Sequence, residues 1–105
     1  MSFRVRLTRD AEADLERLFD FVLGRELGRV GGDLELADEA LVAIRAGIAT
    51  RKTSPFTCRK AGQSPFLREL IISFGRSGYV ALFEILGTTE VVVCAVRHQL
   101  EDDYH

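Results

Sequence analysis

Leu67-Arg68-Glu69-Leu70-Ile71-Ile72-Ser73-Phe74, Tyr79-Val80-Ala81-Leu82-Phe83-Glu84-Ile85-Leu86 and Glu90-Val91-Val92-Val93-Cys94-Ala95-Val96 are three runs rich in β-branched and aromatic residues. Gly75-Arg76-Ser77-Gly78 and Gly87-Thr88-Thr89 separate them. Such runs suit a pleated backbone, and glycine-containing links of this length make neighbouring strands antiparallel. The last third of the chain is therefore a meander of two hairpins. Side chains alternate between the faces of a strand. Tyr79, Ala81, Phe83 and Ile85 share one face, and Val80, Leu82 and Leu86 share the other with Glu84. Leu70, Ile72 and Phe74 oppose Leu67 and Ile71, while Val91 and Val93 oppose Val92, Cys94 and Val96. Both faces are apolar, so both need cover.

The upstream chain supplies one more strand and two helices. Phe3, Val5 and Leu7 alternate with Arg4 and Arg6, the period of a short strand with one buried face. This strand is expected beside the Leu67 strand. Thr8 reads as a helix N-cap, with Asp10 and Glu12 opposing the helix dipole in the first turn. Ala11, Leu15, Leu18, Phe19 and Val22 form one apolar helical face, predicting a helix from Arg9 to about Arg25. Gly31-Gly32-Asp33 reads as a loop ending in an N-cap. No strand precedes these glycines and no Gly-Lys-Ser/Thr follows, which excludes a phosphate-binding loop. From Leu34, the series Leu34, Ala37, Leu41, Ile44 and Ile48 predicts a second amphipathic helix ending near Thr50. A short link makes the two helices an antiparallel hairpin. Arg51 to Pro65 has no clean period and reads as a loop.

The expected fold is α+β, in the order β-α-α-β-β-β. A helical hairpin packs on one face of a mainly antiparallel four-stranded sheet, and a short C-terminal tail or helix follows. One domain over residues 1–105 is expected from the length. One helical layer hides only one sheet face. The other face calls for a sheet that curls over itself, a second copy, or a dedicated partner.

Charge is unevenly spread beneath a net −2. Met1 to Thr50 carries seven basic and ten acidic residues, Arg51 to Arg76 six and one, and Ser77 to His105 one and five. The middle is basic between acidic flanks, which does not suit a broad polyanion-binding surface. Cys58, Cys94 and two histidines lack metal-site spacing, so neither metal nor cofactor is expected. Cys94 reads as a small buried side chain and Cys58 as a free surface thiol in a basic loop. The start of the chain has no continuous apolar segment, and Val91 to Val96 is too short to span a bilayer, so a cytoplasmic protein without membrane association is expected.

Asp14-Leu15, Leu67-Arg68-Glu69-Leu70, Gly78-Tyr79-Val80-Ala81-Leu82-Phe83, Val93-Cys94-Ala95-Val96-Arg97-His98-Gln99 and Glu101-Asp102-Asp103-Tyr104, in that order, resemble the RelE/ParE superfamily of bacterial toxins. The resemblance implies the toxin of a type II toxin–antitoxin pair, neutralised by a cognate antitoxin in a heterodimer or higher assembly. It also implies one of two targets. RelE-like members are ribosome-dependent ribonucleases acting on mRNA, and ParE-like members inhibit DNA gyrase and arrest growth. A decayed, inactive antitoxin-binding module is a further alternative.

RNA cleavage by its own 2′-hydroxyl needs a proton acceptor, a proton donor and cations for the phosphate. Arg68, Arg97, His98 and Tyr104 are the residues this chain could use. A regular final strand sends Arg97 and His98 to opposite faces, and Glu69, Glu101, Asp102 and Asp103 repel a polyanion. The gyrase-directed branch is therefore preferred. Arg59, Lys60, Arg68, Tyr79, Phe83, Val92 and Val96 are candidate contacts for antitoxin or target.

Overall fold

The computed structural model describes residues 2–100. Its elements are β1 (Arg4–Leu7), α1 (Arg9–Leu27), α2 (Leu36–Ala49), β2 (Arg59–Lys60), β3 (Leu67–Phe74), β4 (Ser77–Leu86) and β5 (Glu90–His98), with short 3-10 turns at Thr50–Lys52 and Pro55–Thr57. The strands form one sheet in the order β1-β5-β4-β3-β2. All pairings are antiparallel except β1 with β5. The α+β order and the packing of both helices on the sheet are as expected. The predicted tail or helix at Glu101-Asp102-Asp103-Tyr104 lies outside the described residues.

Three sheet details differ from expectation, each for a local reason. There are five strands rather than four, because Arg59–Lys60 pairs with Arg68 and Glu69. The Arg59 Nε to Glu69 Oε1 ion pair of 2.9 Å and the Ala61 N–H donated to the Leu67 carbonyl at 2.8 Å hold it there. That strand pairs with the start of β3 at its outer edge, and β1 lies at the opposite edge of the sheet beside β5 rather than beside the Leu67 strand. Val5 pairs with Val91, and Arg6 Nε meets Glu90 Oε2 at 3.0 Å.

The third difference is a bulge. Leu82 opposes Ala95 but Phe83 opposes Val93, leaving Cys94 as the extra residue. An extra residue reverses the facing of everything beyond it. Val96 therefore joins Val91 and Val93 under the helices instead of sharing a face with Val92, and it is fully buried. Cys94 itself is only half-buried. Burial, with the nearby Glu84 charge, pushes its thiol above the ordinary range.

Thr8 caps α1, accepting from the Ala11 N–H at 3.0 Å, and its hydroxyl donates to the Cys94 carbonyl at 3.3 Å. One side chain thus starts the helix and ties it to β5. The second helix begins at Leu36 rather than Leu34, because Asp33 Oδ1 accepts the Glu35 N–H in a tight turn rather than capping the helix directly. Ala11, Leu15 and Leu18 of α1 and Ala40, Ile44 and Ile48 of α2 pack on Ile72, Ala81, Phe83, Ile85, Val91 and Val93. Each large side chain buried here contributes about 1.5–3 kcal/mol by removal from water. Gly47 permits close approach, since a Cβ there would lie 2.9 Å from Ile72 Cγ1.

Glu26 holds the link between the helices. Its side chain is enclosed, with Oε1 accepting from the Asp33 N–H at 3.0 Å and meeting Arg29 Nη2 at 2.9 Å. Oε2 accepts from Arg25 Nε at 3.2 Å. The Asp33 hydrogen bond lowers the carboxyl below its ordinary 4.5 despite burial, with Arg25 and Arg29 acting in the same direction. Among the described residues no helix is long and apolar enough to cross a membrane.

Candidate functional site

The sheet has one covered face and one open face. On the open face, register places Ile71 beside Val80, Leu82 beside Ala95, and Arg6 beside Val92. Val80 and Val92 are shielded by their neighbours, whereas Ile71 and Leu86 are 40% and 37% exposed. Val92 thus lies on this face but recessed. Phe83 and Val96, also expected as contacts, are 1% and 0% exposed beneath the helices and offer a partner no surface in this structure. Tyr79 is equally enclosed at 3%.

A cleft of about 240 Å³ opens where α1 passes the β3–β4 turn, lined by Phe21, Arg25, Phe74, Arg76, Tyr79 and His98 among others. It adjoins a groove of about 430 Å³ along α1, bordered by Arg17, Phe21, Arg25, His98 and Leu100. Gly75, with φ of 62°, makes the turn above the cleft. A positive φ at this first position of a two-residue hairpin loop suits glycine.

His98 is the chemically versatile group here, and its ring is tightly engaged. Nε2 lies 3.0 Å from Ser77 Oγ, and Nδ1 accepts the Leu100 N–H at 3.2 Å. That acceptor role requires an unprotonated Nδ1, so Nε2 carries the proton towards Ser77. The ring also stands edge-on to Tyr79 at 5.6 Å. Burial raises the Tyr79 hydroxyl pKa above its ordinary value, opposed by the Arg25 charge, so this phenol stays protonated at neutral pH.

The arginines of the expected ribonuclease set have structural roles elsewhere. Arg97 Nη1 reaches Asp14 Oδ2 at 2.5 Å, and the same oxygen accepts the Val96 N–H at 2.9 Å. Asp14 thereby caps the stretch of β5 beyond the end of β1. Arg68 donates to the carbonyls of Pro65 at 2.7 Å, Cys58 at 2.8 Å and Phe56 at 3.3 Å. Arg68 opposes Phe83 and His98 opposes Tyr79, two strands apart and four residues out of step along β4. With strands ~4.8 Å apart and ~3.4 Å rise per residue, their backbones are roughly 17 Å apart. Tyr104 lies outside the described residues. The structure therefore brings His98 to Tyr79 and Ser77, but does not bring it to Arg68.

Arg59 and Lys60 are exposed on β2. Cys58, expected as a surface thiol, is half-buried against the core, and its sulfur lies 3.1 Å from Arg51 Nη1. Asp14 and Glu26 were the organising side chains that periodicity left unnoticed. Each lies among other charges on α1, and although Asp14 belongs to the family resemblance, only their partners show what these two carboxylates hold. Among the described residues no cluster of His, Cys, Asp and Glu could hold a metal ion.

The fold of this chain, a helical pair on one face of a five-stranded sheet with β1 parallel to the last strand, is similar to that of a chain of the solved "Chromosomal ParDE TA system from P. aeruginosa". The TM-score is 0.72 at 20% identity, covering 92% of this chain and 96% of that one. The family model described as "ParE toxin of type II toxin-antitoxin system, parDE" matches residues 5–103, and the chain belongs to that toxin family. No curated protein matches the chain.

Proposed function

We propose that this toxin arrests growth by inhibiting DNA gyrase and is neutralised by direct binding of a cognate antitoxin. The observation that carries the choice of target is the dispersal of the ribonuclease set. Arg68 is spent on three loop carbonyls, Arg97 on Asp14, and the His98 ring on Ser77 and the Leu100 N–H. General acid–base chemistry needs donors and acceptors aimed at one reacting phosphate. Inhibition by binding needs only a shaped surface. The open apolar sheet face and the groove along α1 support a protein partner of the extended or helical kind.

The test is purified gyrase with the free chain. Supercoiling is expected to fall at near-stoichiometric toxin, while a translation extract shows no new mRNA ends. Unchanged supercoiling at excess toxin refutes the gyrase assignment. New mRNA ends that disappear in His98→Ala would move the chain to the ribonuclease branch.

A further inference from the structure

The long connection between α2 and β3 is built rather than loose. Arg68 gathers the Phe56, Cys58 and Pro65 carbonyls, and Arg51 Nη1 donates to the Ser54 carbonyl at 3.0 Å and Thr57 Oγ1 at 2.9 Å. This scaffold presents two phenyl rings to solvent, Phe56 at 47% and Phe66 at 48% exposure. Their centroids are 6.4 Å apart at 71° between planes. Rings held in place before binding lose little entropy on contact, which makes them strong interface anchors.

The surrounding charge is mainly basic, with the exposed Glu84, register partner of Leu67, as the nearby carboxylate. Arg51 and Arg68 donate to neutral oxygens, which leaves their charges uncancelled, and Lys60 is exposed on β2 opposite Arg68. Among the described residues, none of these three cations pairs with a carboxylate, whereas the neighbouring Arg59 does, with Glu69. A positive rim around an apolar centre is complementary to an acidic surface with a shallow apolar pocket. Nucleobases fit less well. The Arg68 guanidinium already lies over one face of the Phe56 ring, 5.4 Å from its centroid, where a base would otherwise stack.

We infer that the Phe56–Phe66 corner, with its rim of Lys60, Arg51 and Arg68, is the surface by which this chain grips an acidic protein target. This rests on reading the chain as a toxin that acts by binding. The test compares wild type with Phe56→Ser/Phe66→Ser and with Lys60→Glu. All are assayed for growth arrest, inhibition of purified gyrase, binding to a labelled 20-nucleotide single strand, and thermal unfolding. Both variants are expected to melt with the wild type yet lose growth arrest and need at least tenfold more protein to inhibit gyrase. Folded variants that arrest growth like wild type overturn the inference.

If the wild type arrests growth without touching gyrase and the variants do not arrest it, the surface stands and the gyrase assignment falls. Loss of oligonucleotide binding in step with loss of arrest overturns the protein partner in favour of a nucleic acid. A wild type that arrests nothing overturns both readings.

Discussion

Replacing Asp14 by alanine tests how the far end of β5 is held. The carboxylate, 15% exposed, satisfies the Val96 N–H and pairs with Arg97, which is 23% exposed. A hydrogen bond to a charged acceptor is worth about 1.5–3 kcal/mol, and the lower half applies where water can reach the site. The ion pair adds at most about 1 kcal/mol at this exposure. Asp14→Ala should therefore cost about 2–3 kcal/mol. For a domain of this size each kcal/mol moves Tm by about 4–8 °C. Asp14→Asn keeps an acceptor for the strand amide and should cost roughly half as much. Urea unfolding gives the energies, a double-mutant cycle with Arg97→Ala isolates the pair, and hydrogen exchange reports the Val96 amide directly. If alanine costs under about 0.5 kcal/mol and Val96 stays protected, the edge is held by something other than Asp14.

Three further outcomes follow from other contacts. The Glu26 carboxyl titrates lower folded than unfolded, so the unfolded chain binds more protons as pH falls through that range. Its stabilisation is full above pH 4.5 and is lost below, so urea midpoints measured from pH 7 to 3 should fall less in Glu26→Gln than in wild type. An equal fall in both rejects the role. At Gly78 a Cβ would sit 2.2 Å from the Ile72 carbonyl oxygen, so Gly78→Ala should cost at least about 2 kcal/mol in denaturant unfolding, and a neutral result would mean the hairpin yields freely. Arg68→Ala removes the donor shared by three carbonyls, so limited trypsin should cut after Arg59 or Lys60 several-fold faster while the core melts nearly unchanged. Arg68→Lys, lacking the planar fork, should not restore resistance.

Periodicity made most of the fold legible. Alternation located β1 and the meander, and threes and fours located both helices, because each element buries a face whose spacing is local. Three features were set by partners far along the chain. Arg59–Lys60 forms a strand through an ion pair with Glu69, although nothing in its own spacing suggests one. Cys94 is an unremarkable residue in a valine run, but as a bulge it turns Val96 inward. The position of β1 is set by its parallel pairing with Val91–Val93, more than eighty residues away. The site followed the same division. Arg68, Arg97 and His98 are suitable types for phosphate chemistry, but only distances reveal that loop carbonyls, Asp14 and Ser77 engage them. Phe56 and Phe66 looked like loop residues because their exposure depends on how Arg68 folds the loop beneath them.

The parallel pairing of β1 with β5 also fixes when the protein can be finished during synthesis. Val5 and Val91 are neighbours in the sheet, and Thr8 of the first helix cap is bonded to Cys94, 86 residues away. Contacts this remote in sequence form late, after loop-closure entropy has been overcome. Until residues 90–98 have emerged from the ribosome, β1 lacks its strand partner and Val91, Val93 and Val96 are missing from beneath the helices. A growing chain cannot complete this sheet before β5 has been made, so folding and any harm that depends on it wait on the synthesis of residues 90–98.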